Sequence, residues 1–230
     1  MGGTGCVPGT VRQDAGMRLD HLSYACHKSE LADVVQRIGS DLGASFVDGG
    51  RHPGFGTQNF VLPLQGHCYI EVVAALDHPA ADKAPFGRAV QQRADSGGGW
   101  LGWVIAVDDL APIEQRLGRK AVAGRRVRPD GVELSWEQIG VLDLIDDPQL
   151  PYFVRWTQDP SKHPSAAAGP IGIQSVEVNG DPSTVAAWLG EPVEVPLAEI
   201  TVQWTPFDPE GNPGICAVTF TTAGGSVRID

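Results

Sequence analysis

Residues 18–43 read RLDHLSYACHKSELADVVQRIGSDLG, and the change of hydrophobic period inside that stretch decides the architecture. Over RLDHLSYAC the side chains alternate, with Leu22, Tyr24 and Cys26 on one face and His21, Ser23 and Ala25 on the other, as in a half-buried strand. After Ser29, a candidate N-cap, Leu31, Val34, Val35, Ile38 and Leu42 fall at helical spacing, and Gly43 suits a left-handed stop. Beyond the helix come a short apolar run at 44–47, the loop DGGRHPGFG, and strands TQNFVLPL (57–64) and HCYIEVVAAL (67–76) joined by a Gln65–Gly66 turn. The order is β, α, β, β, β.

That order recurs. A linking helix around 81–95 leads to a strand GWLGWVIAV, a helix LAPIEQRLG, strands AVAGRRVRP and GVELSWEQIG, and a fourth strand PYFVRWT. From Pro170 a third unit follows, with IGIQSVEV, the short helix PSTVAAWLG, and PVEVPL, EITVQWT, ICAVTFTT and SVRID as candidate strands. The expected organisation is a flexible leader over 1–16, a first βαβββ module with its linking helix over 17–96, a second over 97–165 and a divergent third over 166–230. The fold class is α+β, with repeated βαβββ modules forming a curved mixed sheet. One module alone leaves an apolar sheet face bare, so two modules must pair and close around a shared concavity.

Composition bounds the partners. The chain has 230 residues, 42% hydrophobic, with Gly 29 and Pro 18, a share of turn formers that excludes an all-helical bundle. A net charge of −11 repels phosphate backbones and anionic headgroups, so neither nucleic acid nor a membrane surface is an expected partner. The leader lacks a signal-peptide pattern, and the longest uncharged run, Gly211–Val227, is short and polar, so a cytoplasmic location is expected. Cys6, Cys26, Cys68 and Cys216 show no CxxC spacing and read as reduced small hydrophobes. Dinucleotide, P-loop and nucleophile-elbow motifs are missing.

The segments LDHLSYAC, GGRHPGFGTQNFVLPL, HCYIEVVAAL, GWVIAVDDL, RPDGVELSW, LPYFVRWTQDPSKHP and GIQSVEV resemble the glyoxalase-like branch of the vicinal oxygen chelate superfamily, over about residues 18 to 178. The resemblance implies a cupped sheet from two paired modules. It also implies a divalent metal (Fe, Mn, Ni or Zn) held by the first and last strand of each. In module one those positions are His21 and Glu71, both on the cup face by alternation, with Glu71 as ligand or proton acceptor. In module two they align with Trp103 and Arg155, neither of which ligates metal. In module three they align with Ser175 or Gln174 and with Arg228 or Asp230. His52 and Gln58 are the other candidate donors.

A buried carboxylate demands a partner, so Glu71 either holds a metal, pairs with Arg155 across the sheets beside His21, or faces water. Arg51 and His52, in a loop with Phe55, suit a ligand lid. With Gln58, Asn59, Trp103 and Arg155 they make up the expected substrate contacts, and Trp136 is a further aromatic candidate for the pocket wall. His27, His67, His78 and His163 sit beside turn residues and read as solvated or locally bonded. The implied function is a glyoxalase-like protein acting on a small organic molecule in the cup, by metal-assisted lyase, isomerase or dioxygenase chemistry. The alternative is a metal-free protein that binds or sequesters a small molecule. The third module serves as an extension or as a homo-oligomer contact.

Overall fold

The computed structural model describes residues 16–205 and 213–230; apart from Gly16, the expected leader lies outside the described residues. Module one comprises β1 (Met17–Ala25), α1 (Leu31–Leu42), β2 (Val47–His52), β3 (Thr57–Pro63) and β4 (Tyr69–Ala75). Two short helices, α2 (Pro79–Lys83) and α3 (Pro85–Asp95), follow in place of one linking helix, because Ala84 is extended ahead of Pro85. Module two comprises β5 (Gly99–Val107), α4 (Ala111–Leu117), β6 (Val122–Val127), β7 (Glu133–Ile139), α5 (Val141–Asp146) and β8 (Tyr152–Trp156).

The strands close into a barrel in the order β1-β4-β3-β2-β6-β7-β8-β5. Within each module the first and last strands run parallel, and β1 and β5 join the modules antiparallel along their length. The opposite seam, β2 to β6, is a single pairing of Arg51 with Val127. Ile38 and Leu42 of α1 belong to a large apolar core on the outer face, together with Leu22, Trp103 and Phe153. A smaller cluster, with Phe86, Val90, Val104, Leu144 and Tyr152, packs α3 and α5 against the barrel.

The third segment has β9 (Gly172–Asn179), α6 (Pro182–Leu189), β10 (Thr201–Thr205), β11 (Gly214–Thr222) and β12 (Gly225–Ile229). It keeps the element order but not the pairing: its sheet runs β10-β9-β11-β12, so the first strand lies parallel to the second rather than to the last. PVEVPL forms turns instead of a strand, since Pro192 and Pro196 have no N–H for a ladder; the Pro196 carbonyl accepts from Leu19 N at 3.0 Å. Trp100 Nε1 donates to the Ile229 carbonyl and ties this sheet to the barrel.

Two further expectations change. Glu30, not Ser29, precedes α1, with no side-chain cap, while Gly43 takes the left-handed conformation as expected. DGGRH is strand rather than loop. Asp48 pairs with Phe60 and Gly50 with Asn59, and the bulge between them leaves Gly49 unpaired. A Cβ at Gly49 would collide with Asn59 Oδ1 and stand 2.8 Å from Arg126 Nη1, so only glycine admits those two side chains to the barrel interior.

Candidate functional site

Strand alternation puts one polar set inside the barrel. The parallel register places His21 beside Tyr69 and Ser23 beside Glu71. His21 therefore stacks on Tyr69, with ring centroids 4.5 Å apart, and the Ser23 hydroxyl donates to Glu71 Oε1 at 2.6 Å. Asn59 Nδ2 donates to Glu71 Oε2 at 2.5 Å, and Arg126 Nη1 donates to Asn59 Oδ1 at 2.8 Å. Burial pushes the Glu71 carboxyl up, but His21 and the Ser23 and Asn59 hydrogen bonds outweigh it, so Glu71 stays ionised below its ordinary range.

Asp20 is fully buried and accepts from His21 Nδ1 at 2.8 Å, Trp156 Nε1 at 2.9 Å and His163 Nε2 at 3.0 Å. Burial opposes its charge, yet the bonds from His163 and His21 hold it well below the usual carboxylate range. An ionised carboxylate only accepts, so His21 carries its proton on Nδ1 toward Asp20 and turns Nε2 to the cavity. There Nε2 lies 3.4 Å from the Tyr152 hydroxyl and 3.7 Å from Glu71 Oε1. Burial first, then Glu71 and Asp20, raise the Tyr152 pKa far above its usual value, so this hydroxyl keeps its proton.

His52, also buried, faces the same space. Its Nδ1 meets Thr57 Oγ1 at 2.9 Å and its Nε2 meets Arg126 Nη1 at 3.4 Å. Burial and the Arg126 charge lower its pKa to about 3, so it is neutral and its Nε2 accepts. The cavity is narrow, about 30 Å³ where the centre of a water molecule fits, and Phe55, Phe86, Trp136 and Trp156 supply its apolar wall. Trp136 lies flat because Gly124 beneath it has no Cβ to meet the indole.

His21, Glu71, His52 and Asn59 thus converge. Trp103, Arg51, Gln58 and Arg155 do not. Trp103 pairs with Leu22 rather than His21 in the β1–β5 register, so it turns into the outer core and donates to the Gln149 carbonyl. Arg51 and Gln58 are partners on the outer face of β2 and β3, one residue out of phase with His52 and Asn59. Arg155 pairs with Glu137 on the adjacent strand at 2.5 Å, half-exposed, which leaves Glu71 to Ser23 and Asn59. Sequence reasoning passed over Asp20, Arg126, Tyr152 and the inward position of His163. The signal for Asp20 was a carboxylate next to a cup-facing His in LDHL; Arg126 gave none beyond a basic run.

Residues 19–193 match the family described as a glyoxalase-like domain. The chain belongs to the glyoxalase-like domain family. No curated protein matches the sequence. A hypothetical protein from Staphylococcus aureus is similar in structure, with TM-score 0.56, 14% identity, and 93% of this chain and 86% of that chain covered. Methylmalonyl-CoA epimerase from Mycobacterium tuberculosis gives TM-score 0.39 at 15% identity, over 60% of this chain and 86% of that chain. A methylmalonyl-CoA epimerase in complex with methylmalonyl-CoA and NH4+ gives TM-score 0.40 at 14% identity, over 62% of this chain and 94% of that chain. The likeness to the Staphylococcus aureus protein concerns the fold alone.

The resemblance in the sequence implies a divalent metal, and the donor set here can be tested against one. The His21–Tyr69 pair of the first module corresponds in the second to Val104–Tyr152, so Val104 and Val154 stand where further ligands would be needed. Among the described residues no group of three or more His, Cys, Asp or Glu is placed to hold a metal ion. Both oxygens of Glu71 already accept hydrogen bonds, and the His52 Nε2 lone pair is turned to the Arg126 guanidinium, which repels a cation. Two donors fall short of the three or more protein ligands usual for a first-row ion, so these residues do not fit a resident metal. No helix among the described residues is long and apolar enough to cross a membrane.

Proposed function

We propose that this glyoxalase-like protein acts on a small carbonyl compound in the barrel cavity by proton transfer through its own side chains, in the lyase or isomerase manner. The observation that carries this reading is the Asp20–His21 pair: a fully buried carboxylate accepts from Nδ1 and leaves Nε2 turned to the cavity. His21 Nε2 takes a proton from a carbon beside the carbonyl, and the imidazolium so formed lies between Asp20 and Glu71, both negative. The Tyr152 hydroxyl, close to Nε2 and kept protonated, is the donor available to the carbonyl oxygen as charge builds there. Return of the proton from Nε2 to the same or a neighbouring carbon gives exchange, epimerisation or isomerisation.

The test is deuterium incorporation, followed by proton NMR in D2O, into pyruvate, pyruvamide and hydroxyacetone. The wild type should accelerate exchange in at least one of them, and His21→Asn should slow it by about 10²- to 10⁴-fold. No acceleration with any of the three, or equal rates in the variant, would overturn the reading. The aromatic wall of Phe55, Phe86, Trp136 and Trp156 favours a second reading, binding without turnover. That reading predicts saturable tryptophan quenching by a ligand whose protons do not exchange.

A further inference from the structure

Arg126 is only 3% exposed, yet no carboxylate lies within ion-pairing distance of it among the described residues. Its protein contacts use Nη1 alone, toward Asn59 Oδ1 and His52 Nε2. The Nε–H and both Nη2–H groups have no protein acceptor among the described residues, and neither nitrogen is sealed from water. Arg126 lines the cavity that also holds His21 and Glu71.

Burying a guanidinium without a counter-charge is strongly unfavourable, and the acid closest along the hydrogen-bond chain, Glu71, is reached only through the Asn59 amide. Gly49 makes room for that arrangement, so backbone has been shaped around an arginine that the fold itself does not pair.

We infer that the free edge of Arg126 is a subsite for the carboxylate of a small organic acid. The planar Nε–Nη2 edge matches a carboxylate in two parallel hydrogen bonds, and the narrow space with its aromatic wall excludes a bulky anion. This rests on the proton-transfer reading: with the carboxylate held at Arg126, the proton that His21 takes comes from the carbon on the other side of the carbonyl. It makes the substrate class a 2-oxo or related small acid.

The test compares pyruvate with pyruvamide, equal in size and differing in charge, in a chloride-free Hepes buffer. Binding is read by calorimetry and by tryptophan fluorescence. The wild type should bind pyruvate about 30-fold or more tightly than pyruvamide, and Arg126→Gln should remove that preference. His21→Asn, inactive in exchange, should keep it. The wild-type ratio needs no variant, so a poorly folding Arg126→Gln does not remove the test. Equal binding of the two ligands, no binding of pyruvate, or competition by chloride as strong as by acetate would overturn the subsite. Preference without exchange would leave the subsite standing and sink proton transfer. Exchange of pyruvamide as fast as pyruvate would do the reverse.

Discussion

A methyl group at residue 49 should dismantle the polar interior from its backbone side. The added Cβ of Gly49→Ala would overlap Asn59 Oδ1 and stand 2.8 Å from Arg126 Nη1, and both side chains are buried with nowhere to retreat. Two hydrogen bonds are at stake, Arg126 to Asn59 and Asn59 to Glu71, each involving a charged group. Such bonds contribute about 1.5–3 kcal/mol each, and relaxation keeps part of that, so the variant should lose about 2–4 kcal/mol. For a chain of this size the loss corresponds to a Tm lowered by about 4–16 °C in thermal melts followed by circular dichroism. Gly54→Ala is the control, because a Cβ there meets nothing within 4 Å; it should stay within about 0.5 kcal/mol of the wild type. A Gly49→Ala protein that melts within about 2 °C of the wild type would refute the claim that glycine is there to admit Asn59 and Arg126.

Asp20 should govern the acid limb of stability. Its folded pKa is depressed, so its contribution is fully present above the ordinary carboxylate range and is lost as pH falls below about 4; Asp20→Asn should flatten the fall of Tm between about pH 2 and 5, and a slope equal to the wild type would contradict this. The same variant should slow exchange by about 10²- to 10⁴-fold, since an amide no longer fixes the Nδ1–H tautomer of His21. Arg155→Met removes only a half-exposed pair with Glu137 and should change stability by less than about 1 kcal/mol, with pyruvate affinity unaltered. A large loss of affinity there would place Arg155 in the site after all.

The alternating strand from Arg18 and the helix after it were readable because each has a single period, and their recurrence gave the paired modules. Glycine misled at DGGRH, where it signalled a loop but serves close packing inside a bulged strand. Phase decided the site residues. His21, Glu71, His52 and Asn59 face inward, whereas Trp103 and Arg155 lie one position away from the true counterparts Val104 and Val154, and in a strand one residue reverses the face. Arg126 was illegible because its meaning depends on β6 closing against β2, a contact between modules. The third segment kept its element order, but order does not specify which strands pair.

The central claim is that the chain's own side chains carry the proton, and exchange after exhaustive chelation tests it most directly. Wild-type protein dialysed against EDTA, with Fe, Mn, Ni and Zn each below a tenth of an equivalent by elemental analysis, on the order of background, should exchange pyruvate protons at the undialysed rate. Adding any of those ions back should not raise that rate. Exchange that disappears with the chelator and returns with one equivalent of a single metal would contradict the account.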